Sequence, residues 1–330
     1  GKEDISEFEP GSLASSGIDS SAFNFIMAFG AYHNMACSTS DVKQAYPDHN
    51  RWDDPACKNP RRLCIRLNPF QSGTGKWENL ALLTATNGLR DASAMFGAIN
   101  ARMMFSWGSI RSNVHRALFY RHEGTEGLMV VGAYVDDSAE LRTRNKEGTK
   151  MLKELELARE RAGFKMKVKQ LDDHPEGIDF AGRLIKPFTN QYGKGFALTQ
   201  PSMVIKIKEC LEGMGVQLTH EVQWLPVTKE WTPLLAAQGL KAGTQRCNST
   251  EYMTLSGLLM WIRQTHPRSA MESILSSYSR NPGETEKLCL SAVAKHFLST
   301  SHIPLMFYTN PLSTSIRTPV VQHAYVDAGE

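Results

Sequence analysis

The feature that most constrains this chain is an apolar run that meets two consecutive carboxylates and then reverses. Leu128–Tyr134 (LMVVGAY) leads into Val135-Asp136-Asp137 and then Ser138–Leu141 (SAEL), which reads as a strand, a two-carboxylate turn and a returning strand. Ahead of it, Ala117–Tyr120 is joined through the turn-rich His122–Gly127, so a further strand belongs to the same antiparallel unit. Two adjacent acids held at the end of a hairpin repel one another. A divalent cation would relieve that repulsion, and hard oxygen donors suit Mg²⁺. Asp is also at home in an ordinary hairpin turn, so the pair by itself leaves both readings open.

A second carboxylate sharpens the question. Asp19 is placed to cap a helix carrying Phe23, Ile26, Met27 and Gly30 along one face, ending near Asn34. An extended segment, Cys37–Ala45, follows and contains Asp41 in Ser40–Tyr46 (SDVKQAY). If this strand and the hairpin are neighbours in one sheet, Asp41 and Asp136 can share a pair of cations. Two metals about 3.5–4 Å apart are the arrangement used for in-line phosphoryl transfer.

The remaining pattern is mixed. Residues 47–63 are polar and loop-like, and a helix is expected from about Asp91 to Phe105 with Phe96, Ile99 and Met103 on one side. A basic amphipathic helix with Leu152, Leu155, Ala158 and Ala162 on its apolar side comes after the hairpin, then strands at 178–185 and 195–199. Composition changes near residue 205. Beyond it, helices are expected at 251–264, 268–279 and 284–298, the first capped by Ser249 or Thr250, with a last strand from Thr318 to Val326. The order is mixed α+β, then mostly helical, then one strand.

Composition excludes some classes. The 330 residues suffice for about two domains. With 41% apolar and 22% charged residues, a sizeable core is expected rather than wholesale disorder. The longest uncharged apolar run, Gly127–Val135, falls far short of the roughly 20 residues of a membrane helix. The first residues, Gly1–Glu7, form no signal peptide and do not read as a natural start. Net charge is only +3, but residues 141–170 hold ten Lys/Arg against four Glu. That block fits either a phosphate backbone or a solvated helix face. Six cysteines without a C-x-x-C pair read as free thiols in a reducing, intracellular compartment.

Taken in order along the chain, these segments resemble the reverse transcriptases of copia-type LTR retrotransposons. Asp41–Tyr46 (DVKQAY) resembles their first catalytic motif and Tyr134–Asp137 (YVDD) their catalytic hairpin. Asn87–Ser93 (NGLRDAS) is similar to the Tyr-Gly-Leu-Lys-Gln-Ala-Pro box. Phe8–Pro10, Phe180–Gly182, Leu198–Gln200, the Tyr252–Trp261 helix with His266–Arg268, and Tyr325–Ala328 match further motifs, so that nearly the whole chain is covered. The resemblance implies a right-hand polymerase palm, an antiparallel sheet with helices packed on one face. A mostly helical thumb/connection and one terminal strand would follow. The implied divisions are 1–205 (partial fingers and palm), 206–312 (thumb/connection) and 313–330 (the truncated first strand of an RNase H-like domain).

The implied activity is RNA-directed DNA synthesis by a Pol polyprotein fragment, joining a dNTP to a primer 3′-hydroxyl on an RNA or DNA template. Asp41, Asp136 and Asp137 would be catalytic and would hold two Mg²⁺ ions, with Mn²⁺ as a substitute. Tyr46 would lie under the incoming sugar and exclude a 2′-hydroxyl. Gly88, Leu89 and Arg90 would sit beside the templating pair, Asp327 would be an RNase H metal ligand, and Arg159, Arg161, Lys165 and Lys167 would support the duplex. A cytoplasmic particle is the expected setting for such an element, and no membrane partner is implied. The chain departs from the family at Asp91, Ser93, Ala94, Phe96 and Pro47–His49, and basic fingers residues upstream are missing. These departures keep open a retroelement-derived structural protein that has lost catalysis and belongs to a ribonucleoprotein assembly. Another palm-type nucleotidyl transferase would share the acids but not the Tyr252–Trp261 helix.

Overall fold

The computed structural model of the chain describes residues 17–49, 51, 53, 63–84, 92–218, 247–266 and 271–312. The described chain forms two compact units. The first runs to Ala181 and takes in Gln191–Gly195 and the residues from Tyr308 on. The second comprises Gly182–Asn190 and Phe196–Phe307. The division thus falls at Ala181 rather than near residue 205, where composition changes. The expected strand over 178–185 is interrupted there, because Ala181 and Gly182 both adopt positive φ (46° and 75°).

The first unit is built on a six-stranded sheet. Its strands are β1 (Ala36–Val42), β4 (Ile110–Arg111), β5 (Leu118–Glu123), β6 (Gly127–Tyr134), β7 (Asp137–Arg142) and β8 (Met166–Gln170), in the order β4-β5-β6-β7-β1-β8. Every pairing is antiparallel. A separate antiparallel pair, β2 (Leu63–Leu67) and β3 (Glu78–Leu82), flanks the short helix α3 (Pro69–Ser72).

Helices cover both faces of the large sheet, not one. Helix α4 (Ala92–Ser106) and helix α5 (Lys146–Arg161) bury Phe96, Met103, Met104, Met151, Leu152 and Leu155 against Phe119, Met129 and Val131 of the sheet. Each such side chain is worth about 1.5–3 kcal/mol on burial. Helix α1 (Ser20–Tyr32), whose N-cap Asp19 accepts from the Ala22 N–H, lies on the opposite face. Its approach is close: a Cβ on Gly30 would stand 2.8 Å from Leu141, and one on Gly132 would stand 2.8 Å from Ile18. The apolar stripe of α1 needs a partner surface, and the Gly132–Leu141 side of the sheet supplies it. A short helix α2 (Ala45–His49) follows β1, and β9 (Ile178–Phe180) lies near β1 and β7, where Phe180 stacks on Phe23 at 4.8 Å.

The second unit contains β10 (Arg183–Asn190), the Phe196–Thr199 part of β11 (Gly193–Thr199) and all but the last residue of β12 (Leu305–Tyr308), in the order β12-β11-β10. Its helices are α6 (Pro201–Gly213), α7 (Ser249–Ile262), α8 (Met271–Ser276) and α9 (Glu284–Thr300). They share a core of Ile207, Leu211, Tyr252, Leu255, Leu259, Leu290, Val293 and Phe297. Asn248, rather than Ser249 or Thr250, caps α7 by accepting from the Thr250 and Glu251 N–H groups, a contribution of about 1 kcal/mol. The Tyr252 hydroxyl donates to the Leu275 carbonyl at 2.7 Å. Among the described residues no helix is long and apolar enough to cross a membrane. The expected strand at 318–326 lies outside the described residues.

Candidate functional site

Strands β6 and β7 pair up to Tyr134 opposite Asp137, which leaves Val135 and Asp136 as a two-residue loop. Val135 has φ 57°. The first loop position of such a hairpin favours Gly when φ is positive, and a β-branched residue there costs about 1–2 kcal/mol. The flanking ladder holds this conformation in place. It is also tied to β1, whose Val42 N–H donates to the Asp136 carbonyl at 3.0 Å.

That tie brings the acids together. In the β1–β7 ladder Asp41 is the direct partner of Asp137, so their Cβ atoms lie on one face about 4.5–5.5 Å apart. Asp136 is next in chain, the most open of the three at the turn though its carboxyl is partly shielded from solvent, while Asp41 and Asp137 are half-buried. The electrostatics register the crowding. Burial pushes the Asp137 carboxyl up to about 6, with the charges of Asp136, Asp41 and Asp179 adding to it. The Ala181 N–H, donating to its Oδ2 at 3.1 Å, works in the other direction. Asp136 is raised as well, first by burial and further by Asp41.

Among the described residues no Lys or Arg forms an ion pair with any of the three. Three cations of the neighbourhood are engaged elsewhere, Lys165 with Asp48, Lys169 with Asp179 and Arg159 with Glu140, whereas Lys167, opposite Asp41 on β8, forms no ion pair among the described residues. As the side chains stand, no group of three or more His, Cys, Asp or Glu among the described residues closes on a single metal position. The donor chemistry does fit a divalent cation: hard oxygens, mutual repulsion and no ion pair among the described residues to compensate it.

Tyr46 projects from α2 and is half-buried, its ring edge-on to Phe96 at 5.9 Å. Burial raises its hydroxyl pKa, a hydrogen bond with the Ser93 side chain opposes this, and the Asp136 charge adds to the rise. Tyr46 and the acids therefore share one neighbourhood. On β8, Lys167 is the register partner of Asp41 and is exposed, so a cation stands at the edge of the acid site. Gly88, Leu89 and Arg90 lie outside the described residues, as do Phe8–Pro10 and Asp327.

One expectation is corrected. Arg159 does not face a duplex: it is 2% exposed and its Nη2 pairs with Glu140 at 2.7 Å. The reason is its place on α5, where 152, 155 and 159 follow one another on the apolar stripe. Glu140 and its serine neighbours are polar residues that the sequence reading passed over. The available signal was an Arg on an apolar stripe, which requires a buried acid nearby.

Compared with known proteins, the chain matches no family model, and no curated protein is similar to it.

Proposed function

We propose that this chain is the palm and thumb/connection region of an RNA-directed DNA polymerase of copia type, joining dNTPs to a primer 3′-hydroxyl on a template. The observation that carries the reading is the register pair Asp41–Asp137 beside a strained hairpin tip carrying Asp136, none of the three in an ion pair among the described residues. Asp41, Asp136 and Asp137 would hold the divalent cations. Two such ions, when bound, supply activation of the attacking hydroxyl and stabilisation of the charge that develops at the phosphorus. The chain's own residues do the rest. The two strands fix where the carboxylates stand, Tyr46 offers a ring face for the incoming sugar, and Lys167 offers a charge to the phosphates.

A retroelement-derived scaffold that had lost catalysis would have no reason to keep three clustered acids outside any ion pair and a strained turn. Those features cost stability and supply nothing to a purely structural role. Primer extension with Mg²⁺ or Mn²⁺ tests the reading. The parent chain should extend a primer, and Asp41→Asn or Asp136→Asn should abolish extension without unfolding the protein. Extension unaffected by Asp136→Asn would remove the assignment.

A further inference from the structure

The faces of β1 and β7 that point away from the acids carry a polar cluster that the function above leaves unused. Ser38, Ser40, Ser138, Glu140 and Arg159 are all buried, Glu140 completely. The Glu140 carboxylate accepts from the hydroxyls of Ser38 (2.9 Å), Ser138 (3.0 Å) and Ser40, and from Arg159 Nη2 (2.7 Å). Arg159 Nη2 also donates to Ser138 Oγ at 2.8 Å, and the Ser40 and Ser138 oxygens stand 2.6 Å apart, so their two protons fill two of the three contacts among Ser40, Ser138 and Glu140 at a time. The Glu140 carboxylate thereby joins β7 to Ser38 and Ser40 of β1, and the Arg159 guanidinium from α5 anchors the β7 side of that link. The link includes the rung Ser40–Ser138, the neighbour of the rung Asp41–Asp137.

Stability does not account for this arrangement. A buried ion pair seldom outperforms apolar residues of similar volume, and here Arg159 Nη1 is buried with no hydrogen-bond partner. Geometry accounts for it better. The hairpin tip is strained at Val135, and past the network β1 holds it by the bond from Val42 N–H to the Asp136 carbonyl.

We propose that the Glu140–Arg159 network is a positioning device that locks β1 to β7 from behind and so holds Asp41, Asp136 and Asp137 at their working separation. Its consequence for catalysis rests on the polymerase reading; its effect on the strands does not. The test is the double variant Glu140→Leu/Arg159→Met, which removes both charges and keeps the volume apolar. The expected result is a thermal midpoint at or above the parent's, with amide hydrogen exchange at Val42 at least ten-fold faster and that at Val131 within two-fold. In primer extension kcat should fall at least ten-fold while the KM for dNTP stays within two-fold. If Val42 exchange or kcat remains within two-fold of the parent, the proposal is overturned. Should the parent itself extend no primer, the polymerase reading fails, and Val42 exchange alone decides whether the network holds the strands.

Discussion

The two faces of β1 and β7 solve the same electrostatic problem in opposite ways. On one face Asp41 and Asp137 stand opposite each other, half-buried and in no ion pair among the described residues, and Asp137 resists ionisation up to about pH 6. On the other, which begins one residue along each strand at Ser40 and Ser138, Glu140 is fully buried yet held by serine hydroxyls and a guanidinium. Side chains alternate along a strand, so the contrast is built at the spacing of single residues. A chain that pairs a wholly buried carboxylate from within leaves three more accessible ones without an ion pair. The difference teaches that the protein's own ion pairing is spent on the buried face and not on the acidic one.

The largest expected effect breaks the acidic face. Asp41→Asn should lower metal-dependent primer extension by about a thousand-fold or more, as expected when a metal-holding carboxylate is lost, and steady-state assays at saturating dNTP measure this. Breaking the other face should act on stability. Arg159→Ala leaves Glu140 buried and unpaired and should cost about 3–5 kcal/mol in urea denaturation.

Smaller effects sharpen the contrast. Because the Asp137 carboxyl is raised in the folded state, it favours folding at pH below its unfolded value, and that contribution is lost as pH climbs through about 6. Asp137→Asn should therefore stabilise the protein at pH 8 by about 1 kcal/mol, a figure discounted for the group's exposure, and the gain should vanish by pH 4. Thermal melts of both proteins across that range check it. Least of all, Val135→Gly should relieve the left-handed turn and raise stability by under about 1 kcal/mol, since Gly also gains freedom in the unfolded chain.

Much of the frame was legible from local pattern. Helix α1 with its Asp19 cap, helix α4, the β5–β6–β7 meander and helix α5 all follow from apolar spacing and turn residues. Other elements were not. Strand β8 (MKVKQ) alternates lysines with apolar residues at the edge of the sheet and looks like solvated chain. Helix α6 begins at Pro201, where the composition change concealed a Met203, Ile207, Leu211 stripe. The pairing of Asp41 with Asp137 joins strands far apart in the chain, which no local signal encodes; only the resemblance of their flanking motifs brought them together. The alternation of Ser138, Glu140 and Arg142 with apolar residues reads as a strand with one wet face. Helix α5 covers that face, a tertiary fact outside any window of sequence.

The central claim is that Asp41, Asp136 and Asp137 form one site for divalent cations, and calorimetric titration with Mn²⁺ tests it most directly. The account predicts saturable binding by the parent chain, weakened at least ten-fold by Asp41→Asn even though that substitution lies across the strand pair from the hairpin. No binding heat in the parent, or equal affinity in the two proteins, would contradict it.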